Sequence, residues 1–329
     1  MAGMTTQHPY AELTPDVMLD AVDATGHLCD GRLLALNSYE NRVYQVGQED
    51  GPPLIAKFYR PGRWSDAAIL EEHAFSQALA EAEIPVVAPL DIHGQTLLTH
   101  GAFRFALFPR RAGRTPELDD EATLQWIGRF LGRIHAIGAC TDFAHRPTLD
   151  IAHFGLVPSQ YLLEHDFIPP ELRLAYSTLA EQLIEKLNAR WALAGGVKAI
   201  RLHGDCHPGN LLWTDAGPHF VDFDDARMGP AIQDLWMLLS GDRTSQQYQL
   251  GTLLDEYSTF HDMDEQELWL IEPLRTLRIM HYASWLAQRW SDPAFPSAFP
   301  WFNSQRYWEE HILTLREQLA ALDEPPLAV

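Results

Sequence analysis

The residues with the most chemical content lie in His203-Gly204-Asp205-Cys206-His207-Pro208-Gly209-Asn210, followed twelve residues later by Asp222. An Asp and an Asn five residues apart, bounded by apolar segments, suit one job. The Asp accepts a proton from a hydroxyl nucleophile, and the Asn amide oxygen ligates a magnesium ion. A second Asp on the following hairpin completes a metal site between the phosphates of ATP. Phosphoryl transfer asks little covalent chemistry of a protein; it needs in-line positioning and cations to hold phosphate charge. The pattern therefore predicts ATP- and Mg2+-dependent transfer, with Asp205 as general base, a role worth roughly 10²–10⁴-fold. Asn210 and Asp222 are the expected metal ligands, and Asp222 also counts among the catalytic residues.

Supporting groups follow from the same chemistry. The acids in Phe220-Val221-Asp222-Phe223-Asp224-Asp225 repel one another unless a cation is present, which favours a metal there. By strand alternation Asp224 falls on the face of Asp222 and Asp225 on the other. A lone lysine in the apolar strand Leu54-Ile55-Ala56-Lys57-Phe58-Tyr59 is expensive unless paired. Its expected partner is Glu72 on the following helix, whose face Phe75 and Leu79 continue, with Glu71 as the alternative. In kinases such a Lys holds the nucleotide phosphates and the Glu orients it, so Lys57 and Glu72 are candidate nucleotide-binding residues. A phosphate-covering loop belongs at Asn37-Ser38-Tyr39-Glu40-Asn41-Arg42. It has no glycine, but Ser38 can offer its hydroxyl and backbone N–H to a phosphate. His203 is expected to pack under Asp205 and fix the loop, and Asp234 to bond the loop backbone or cap a helix. Cys206 is weighed as a nucleophile but is not needed to explain the loop.

These residues need particular elements to position them. Thr14-Pro15-Asp16 opens a helix over 17–24, after a loose leader over 1–12. Strand-like runs at 32–37, 42–47, 54–59, 96–98 and 103–108, with a helix over 67–82, predict a small antiparallel sheet with one long helix. Residues 109–113 read as a linker. A helix over 119–138 follows, carrying Gly128 and Gly132 four apart for close backbone approach. Further helices are expected at 159–165, 170–192, 232–239, 245–258, 265–288 and 304–322, with short β pieces at 199–203, 211–214 and 219–223. The Pro- and aromatic-rich stretch 291–301 reads as an ordered loop. The expected fold is α+β and bilobal: a nucleotide-binding β-rich lobe over 1–108, a hinge at 109–113, and a mostly helical lobe over 114–329 carrying the catalytic loop and metal site.

Composition bounds the partners. With 45 acidic and 24 basic residues the net charge is −21, which argues against nonspecific nucleic-acid binding. Three scattered cysteines imply neither a disulfide framework nor a metal cluster. Residues 1–10 are polar and lack an apolar signal core, and no stretch reaches the ~18 apolar residues of a membrane span. A cytoplasmic location without a membrane partner is the expectation.

The motif His203-Gly-Asp205-x-His207-x-x-Asn210 with Val221-Asp222 resembles the aminoglycoside phosphotransferase and choline kinase-like superfamily of protein-kinase-like folds. More specifically, Leu36-Asn-Ser-Tyr-Glu-Asn-Arg-Val-Tyr44, Lys57-Phe-Tyr-Arg-Pro61, Arg201-Leu-His-Gly-Asp-Cys-His207, Val221-Asp-x-Asp-Asp-Ala-Arg227 and Asp292-Pro-Ala-Phe-Pro296 resemble the bacterial stress response kinase A family. The similarity runs from Pro15 to Pro326. The resemblance implies a cytoplasmic, monomeric serine/threonine protein kinase acting in envelope and oxidative stress responses and opposing programmed cell death. It carries the family's base onto Asp205, its magnesium ligands onto Asn210 and Asp222, and its ATP-contact serine onto Ser38. The residues themselves leave the acceptor open. There is no Asp-Phe-Gly or Ala-Pro-Glu signature, and only twelve residues separate Asp222 from Asp234, too few for the usual peptide-supporting segment. A small-molecule kinase and a catalytically dead nucleotide-binding regulator are the alternatives, and intact Lys57, Asp205, Asn210 and Asp222 weigh against the second.

Overall fold

The structure is a computed structural model and describes residues 8–329. Most of the expected leader lies outside the described residues. Its end is not loose: Tyr10 and Leu13 are buried in the sheet's core, and the Tyr10 hydroxyl donates to the Phe58 carbonyl at 3.2 Å. The first elements in chain order are α1 (Pro15–Asp23), β1 (Cys29–Ala35), β2 (Arg42–Gln48), β3 (Leu54–Phe58), α2 (Asp66–Glu81), β4 (Leu98–His100) and β5 (Phe103–Pro109). There follow α3 (Glu121–Gly138), α4 (Val157–Glu164), α5 (Pro170–Leu193), β6 (Ile200–Leu202), β7 (Leu211–Thr214), β8 (Gly217–Phe220) and β9 (Arg227–Gly229). The chain closes with α6 (Ile232–Trp236), α7 (Arg243–Tyr257), α8 (Ile271–Gln288), α9 (Ala294–Ala298) and α10 (Gln305–Ala321). The fold is α+β, as the patterning predicts.

Two compact units divide the chain. The first holds the residues up to Pro116 together with Phe143–Arg146 and Pro208–Asp225. Its five strands form one antiparallel sheet in the order β1-β2-β3-β5-β4. β3 is central, with Lys57 between Val43 and Ala106 in register, so both its edges are paired and its other side chains are apolar. α1 begins at the expected cap, where Thr14 Oγ1 accepts from Val17 N; α2 starts one residue before the expected 67 and is capped by Ser65, whose Oγ accepts from Ala68 N. The β7–β8 hairpin also belongs to this unit, where Phe220 exchanges backbone bonds with Pro85 and Val87. The structure thus groups residues 208–225 with the β-rich unit, where the linear reading ran the helical lobe unbroken from 114. The segment 109–113 is likewise no bare linker: Pro109 closes β5, and Arg114 and Trp213 exchange backbone hydrogen bonds at 3.0 and 2.6 Å.

The second unit holds Glu117–Asp142, Pro147–His207 and Ala226–Val329. β6 pairs antiparallel with β9, a strand the patterning missed because its three residues are too few to alternate. α3 packs on α7 through Gly128 and Gly132, where an added Cβ would overlap the carbonyl oxygens of Leu253 and Tyr257. The expected helix over 265–288 is broken: residues 265–270 form a 3-10 turn and α8 starts at Ile271. Pro273 has no N–H to bond back four residues, so the α pattern begins around it. The loop expected over 291–301 contains the short α9, pinned by buried Phe295, whose ring lies 5.1 Å from that of Trp285. Among the described residues no helix is long and apolar enough to cross a membrane.

Gly251, on α7, would carry an added Cβ in open space. Gly132→Ala is therefore expected to destabilise by about 1–3 kcal/mol through overpacking, and Gly251→Ala to stabilise by up to about 1 kcal/mol through helix propensity. Urea unfolding of the two variants checks both signs.

Candidate active site

In the first unit a cavity of about 350 Å³ is lined by apolar side chains from the sheet and hairpin, including Val43, Ile55, Phe108, Leu212 and Val221. Ser38, Lys57, Glu72, Asn210 and Asp222 line the same cavity. Five predicted site residues, drawn from across 185 positions of sequence, are thus brought to one concave surface of a size usual for small-molecule ligands. The hairpin explains how the two expected metal ligands meet. Leu211 pairs with Phe220, so the residues flanking the ladder are adjacent, and Val221 N donates to the Asn210 carbonyl at 3.1 Å. The next residue, Asp222, has φ +62°. That left-handed backbone is uncommon for a residue other than glycine, and such outliers gather at functional sites. It ends the strand's alternation.

The chain then forms a 3-10 turn over 223–225, so the expected division of Asp224 and Asp225 between two faces does not occur. Arg63 contacts both: its Nη1 pairs with Asp224, and its Nη2 lies 2.8 Å from Asp225 Oδ1. Lys57 Nζ donates to Asp222 Oδ1 at 3.0 Å and sits 3.2 Å from Asp224 Oδ1, an ion-pair distance without hydrogen-bond alignment. The protein's own cations therefore relieve the repulsion that favoured a metal from sequence. Burial opposes the positive charge of Lys57, but Asp222, Asp224 and Glu72 outweigh it and hold the ammonium protonated well above the ordinary lysine range. Burial likewise opposes the charge of Asp224, and Arg63 and Lys57 outweigh that to lower its carboxyl.

Glu72 corrects a predicted pairing. It is buried and lines the cavity, but its ion-pair partner is Arg146 at 3.1 Å; among the described residues those of Lys57 are Asp222 and Asp224. Burial raises the Glu72 carboxyl, against the pull of Lys57 and Arg146. Glu71, the alternative, accepts the backbone N–H groups of Ala144, His145 and Arg146 at 2.7–3.0 Å. Both glutamates thus bind the segment 143–146 onto α2. Arg146 also donates to the carbonyls of Ala68 and Asp224 and lies over the Trp64 ring. Nothing in its Arg-Pro dipeptide marks this role; only the packing reveals it. Ser38 Oγ donates to the Asn41 carbonyl at 3.2 Å, and Asn41 Oδ1 accepts from Arg60 N at 3.1 Å, which ties the loop to the end of β3.

Asp205 belongs to the second unit, where its loop is held by a buried carboxylate. Asp234 accepts from His203 N and Gly204 N, each at 2.8 Å, and its Oδ2 lies 3.1 Å from His135 Nε2. The expected loop-bonding role of Asp234 is seen directly. Asp205 N donates to His203 Nδ1 at 3.3 Å, the fixing contact expected of that histidine. The Asp205 carboxylate is 23% exposed; Arg278 Nη1 of α8 lies 2.5 Å from its Oδ1 and His207 Nε2 lies 3.5 Å from its Oδ2. Arg278, 73 residues away, carries no sequence signal. Cys206 is fully buried, and burial together with Asp234 and Asp205 pushes its thiol well above the ordinary range, which removes it as a nucleophile.

Among the described residues no group of three or more His, Cys, Asp and Glu is gathered to hold a metal. One half-exposed carboxylate, Asp222, beside one amide, Asn210, instead supplies two hard oxygen donors on the cavity wall. That set fits magnesium, which keeps waters and takes one or two carboxylates with substrate phosphates.

Residues 32–269 match the model of the phosphotransferase enzyme family, labelled APH. The chain is 46% identical over 318 residues to stress response kinase A of Escherichia coli (strain K12), covering 97% of this chain and 96% of that protein. It is 44% identical over the same span to the serine/threonine protein kinase RdoA of Salmonella typhimurium, with the same coverage. Among solved structures, amicoumacin kinase in complex with AMP-PNP, Ca2+ and amicoumacin shares the fold at TM-score 0.70 and 21% identity, covering 92% of this chain and 91% of that one.

Glu267 supports the Asp234 arrangement by accepting from Ile232 N at 2.8 Å at the start of α6. Burial pushes its carboxyl up from 4.5 to about 7. The folded state therefore binds this proton more tightly, and the associated stability is full below pH 4.5 and lost as pH rises through 7. Glu267→Gln is expected to remove a fall of roughly 3 kcal/mol at most across that window, read from unfolding free energy against pH.

Proposed function

Because the chain belongs to the phosphotransferase enzyme family, we propose that it is an ATP- and magnesium-dependent kinase that phosphorylates serine or threonine hydroxyls of a protein in a stress response. The observation that carries the kinase reading is the joining of Lys57 and Asp222 across 165 residues on a cavity wall shared with Asn210 and Ser38. In this reading the apolar cavity residues receive the nucleotide base, and Ser38 donates to phosphate oxygens. The Lys57 ammonium passes from Asp222 to the phosphates while Asp224 keeps it paired. Glu72 keeps the wall beside Lys57 negative and, through Arg146, rigid. Asn210 and Asp222 would hold magnesium, whose charge when bound neutralises phosphate oxygens. Asp205 takes the proton of the acceptor hydroxyl.

The protein acceptor is supported by the similarity, over nearly the whole chain, to the Salmonella serine/threonine protein kinase RdoA. A cytoplasmic, monomeric enzyme is part of the same proposal. A small-molecule acceptor is favoured by one structural observation: the twelve residues 223–234 are consumed by the 3-10 turn, β9 and the start of α6. Residues 226–234 are all buried, leaving no exposed strand there to support a peptide.

Transfer from γ-labelled ATP with magnesium tests the reading, using a generic protein substrate and a metabolite panel. Acid-stable label on Ser or Thr is the expected result; label only on a metabolite supports the second reading, and no transfer to either sinks both. Asp205→Asn is expected to lower turnover by about 10²–10⁴-fold while nucleotide binding, read by calorimetry, stays unchanged.

A further inference from the structure

Arg278 of α8 meets the candidate base Asp205. Its Nη1 lies 2.5 Å from Asp205 Oδ1 and 3.9 Å from Met237 Sδ. Nε and Nη2 have no hydrogen-bond partner among the described residues, and the side chain is 45% exposed. Its neighbour one turn earlier is occupied: Arg275 pairs with Glu272 at 3.3 Å, donates to Gln246, and lies over the Trp236 ring. Arg278 thus joins the candidate base through one nitrogen and presents the rest of a planar fork to solvent. A guanidinium fork matches a carboxylate or phosphate two N–H groups at a time.

We propose that Arg278 is a specificity-determining latch on Asp205, released by acceptors that carry an anionic group beside the hydroxyl. Building on the kinase reading above, this names the acceptor's chemistry. Asp205 Oδ1 cannot readily take a hydroxyl proton while a guanidinium donates to it at 2.5 Å. An exposed ion pair is worth only about 0–1 kcal/mol, so it exchanges readily. An anionic acceptor trades one ion pair for another: its carboxylate or phosphate takes the guanidinium, and Oδ1 is released next to the hydroxyl. A neutral acceptor must break the pair without replacement. In the transfer itself the acceptor oxygen bonds to the γ-phosphorus of ATP while the bond from that phosphorus to the β–γ bridging oxygen breaks. ADP leaves with that electron pair, and the hydroxyl proton goes to Asp205. The net charge of −21 makes a local cation necessary for such acceptors, because the field of the whole chain repels them.

The test uses four acceptors with the full-length protein, ATP and magnesium. Two are serine peptides flanked by aspartate or by asparagine; two are small alcohols, a hydroxy acid and its amide. Wild type is expected to favour the anionic member of at least one pair by about two- to fivefold in kcat/KM, the size of one partly exposed ion pair, and which pair responds identifies the source of the anion. Arg278→Met should erase that preference by raising KM for the anionic acceptor, with KM for ATP and the melting temperature unchanged; Arg278→Lys should restore part of it. Equal loss on all acceptors, or a preference that survives in Arg278→Met, overturns the latch and leaves the kinase reading standing. A wild type that binds nucleotide yet phosphorylates none of the four overturns both.

Discussion

A buried ammonium in the middle of a sheet is the constraint around which the first unit is organised. Lys57 is 5% exposed, flanked by paired strands on both sides. Such a charge is tolerated only where carboxylates converge on it, and Asp222 and Asp224 reach it from a hairpin more than 160 residues further along the chain. Those acids in turn require Arg63, and Glu72 requires Arg146. The alternation of positive and negative groups keeps each charge paired, and the cavity wall inherits its polarity from them. Removing any one partner leaves a buried charge uncompensated, which makes the cluster a poor candidate for piecemeal substitution.

The second unit solves a different problem with one buried carboxylate. Asp234 has no exposure, yet it accepts two loop N–H groups and faces His135, whose other nitrogen meets the Tyr257 hydroxyl. The loop backbone is thereby fixed while the Asp205 side chain keeps partial exposure. Glycines that admit backbone within an ordinary Cβ's reach, Gly128 and Gly132 on α3, bring α3 against α7 and so His135 against Tyr257. Rigid backbone and an accessible carboxylate are the combination that a proton acceptor needs.

Family membership supports phosphotransfer; in the proposed reading the acceptor depends on side chains at Asp205. A relative named as a serine/threonine protein kinase and a solved structure named as an amicoumacin kinase are both similar to this chain, the second in fold alone, and a fold does not by itself fix the acceptor. In the proposed latch the guanidinium of Arg278 reads acceptor charge, and it comes from α8, outside the motif segments that define the resemblance.

Sequence alone determined the chemistry-bearing motif, the α+β class, most element positions and five polar residues that line the cavity, Ser38, Lys57, Glu72, Asn210 and Asp222. Those signals are local: the Asp205–Asn210 spacing, an apolar strand interrupted by Lys57, and Thr14 opening α1. Even the role of Asp234 was legible, because a carboxylate beginning a helix after a loop has few other uses. Tertiary structure decided the pairings. Glu72 sits where its helical face predicted, yet it belongs to Arg146, because Asp222 and Asp224 reach Lys57 first and no pattern along the chain encodes that competition. The left-handed Asp222, the grouping of residues 208–225 with the β-rich unit, and Arg278 at Asp205 are long-range facts of the same kind. Charge pairing acts through a few ångströms of space, and separation along the chain does not determine it.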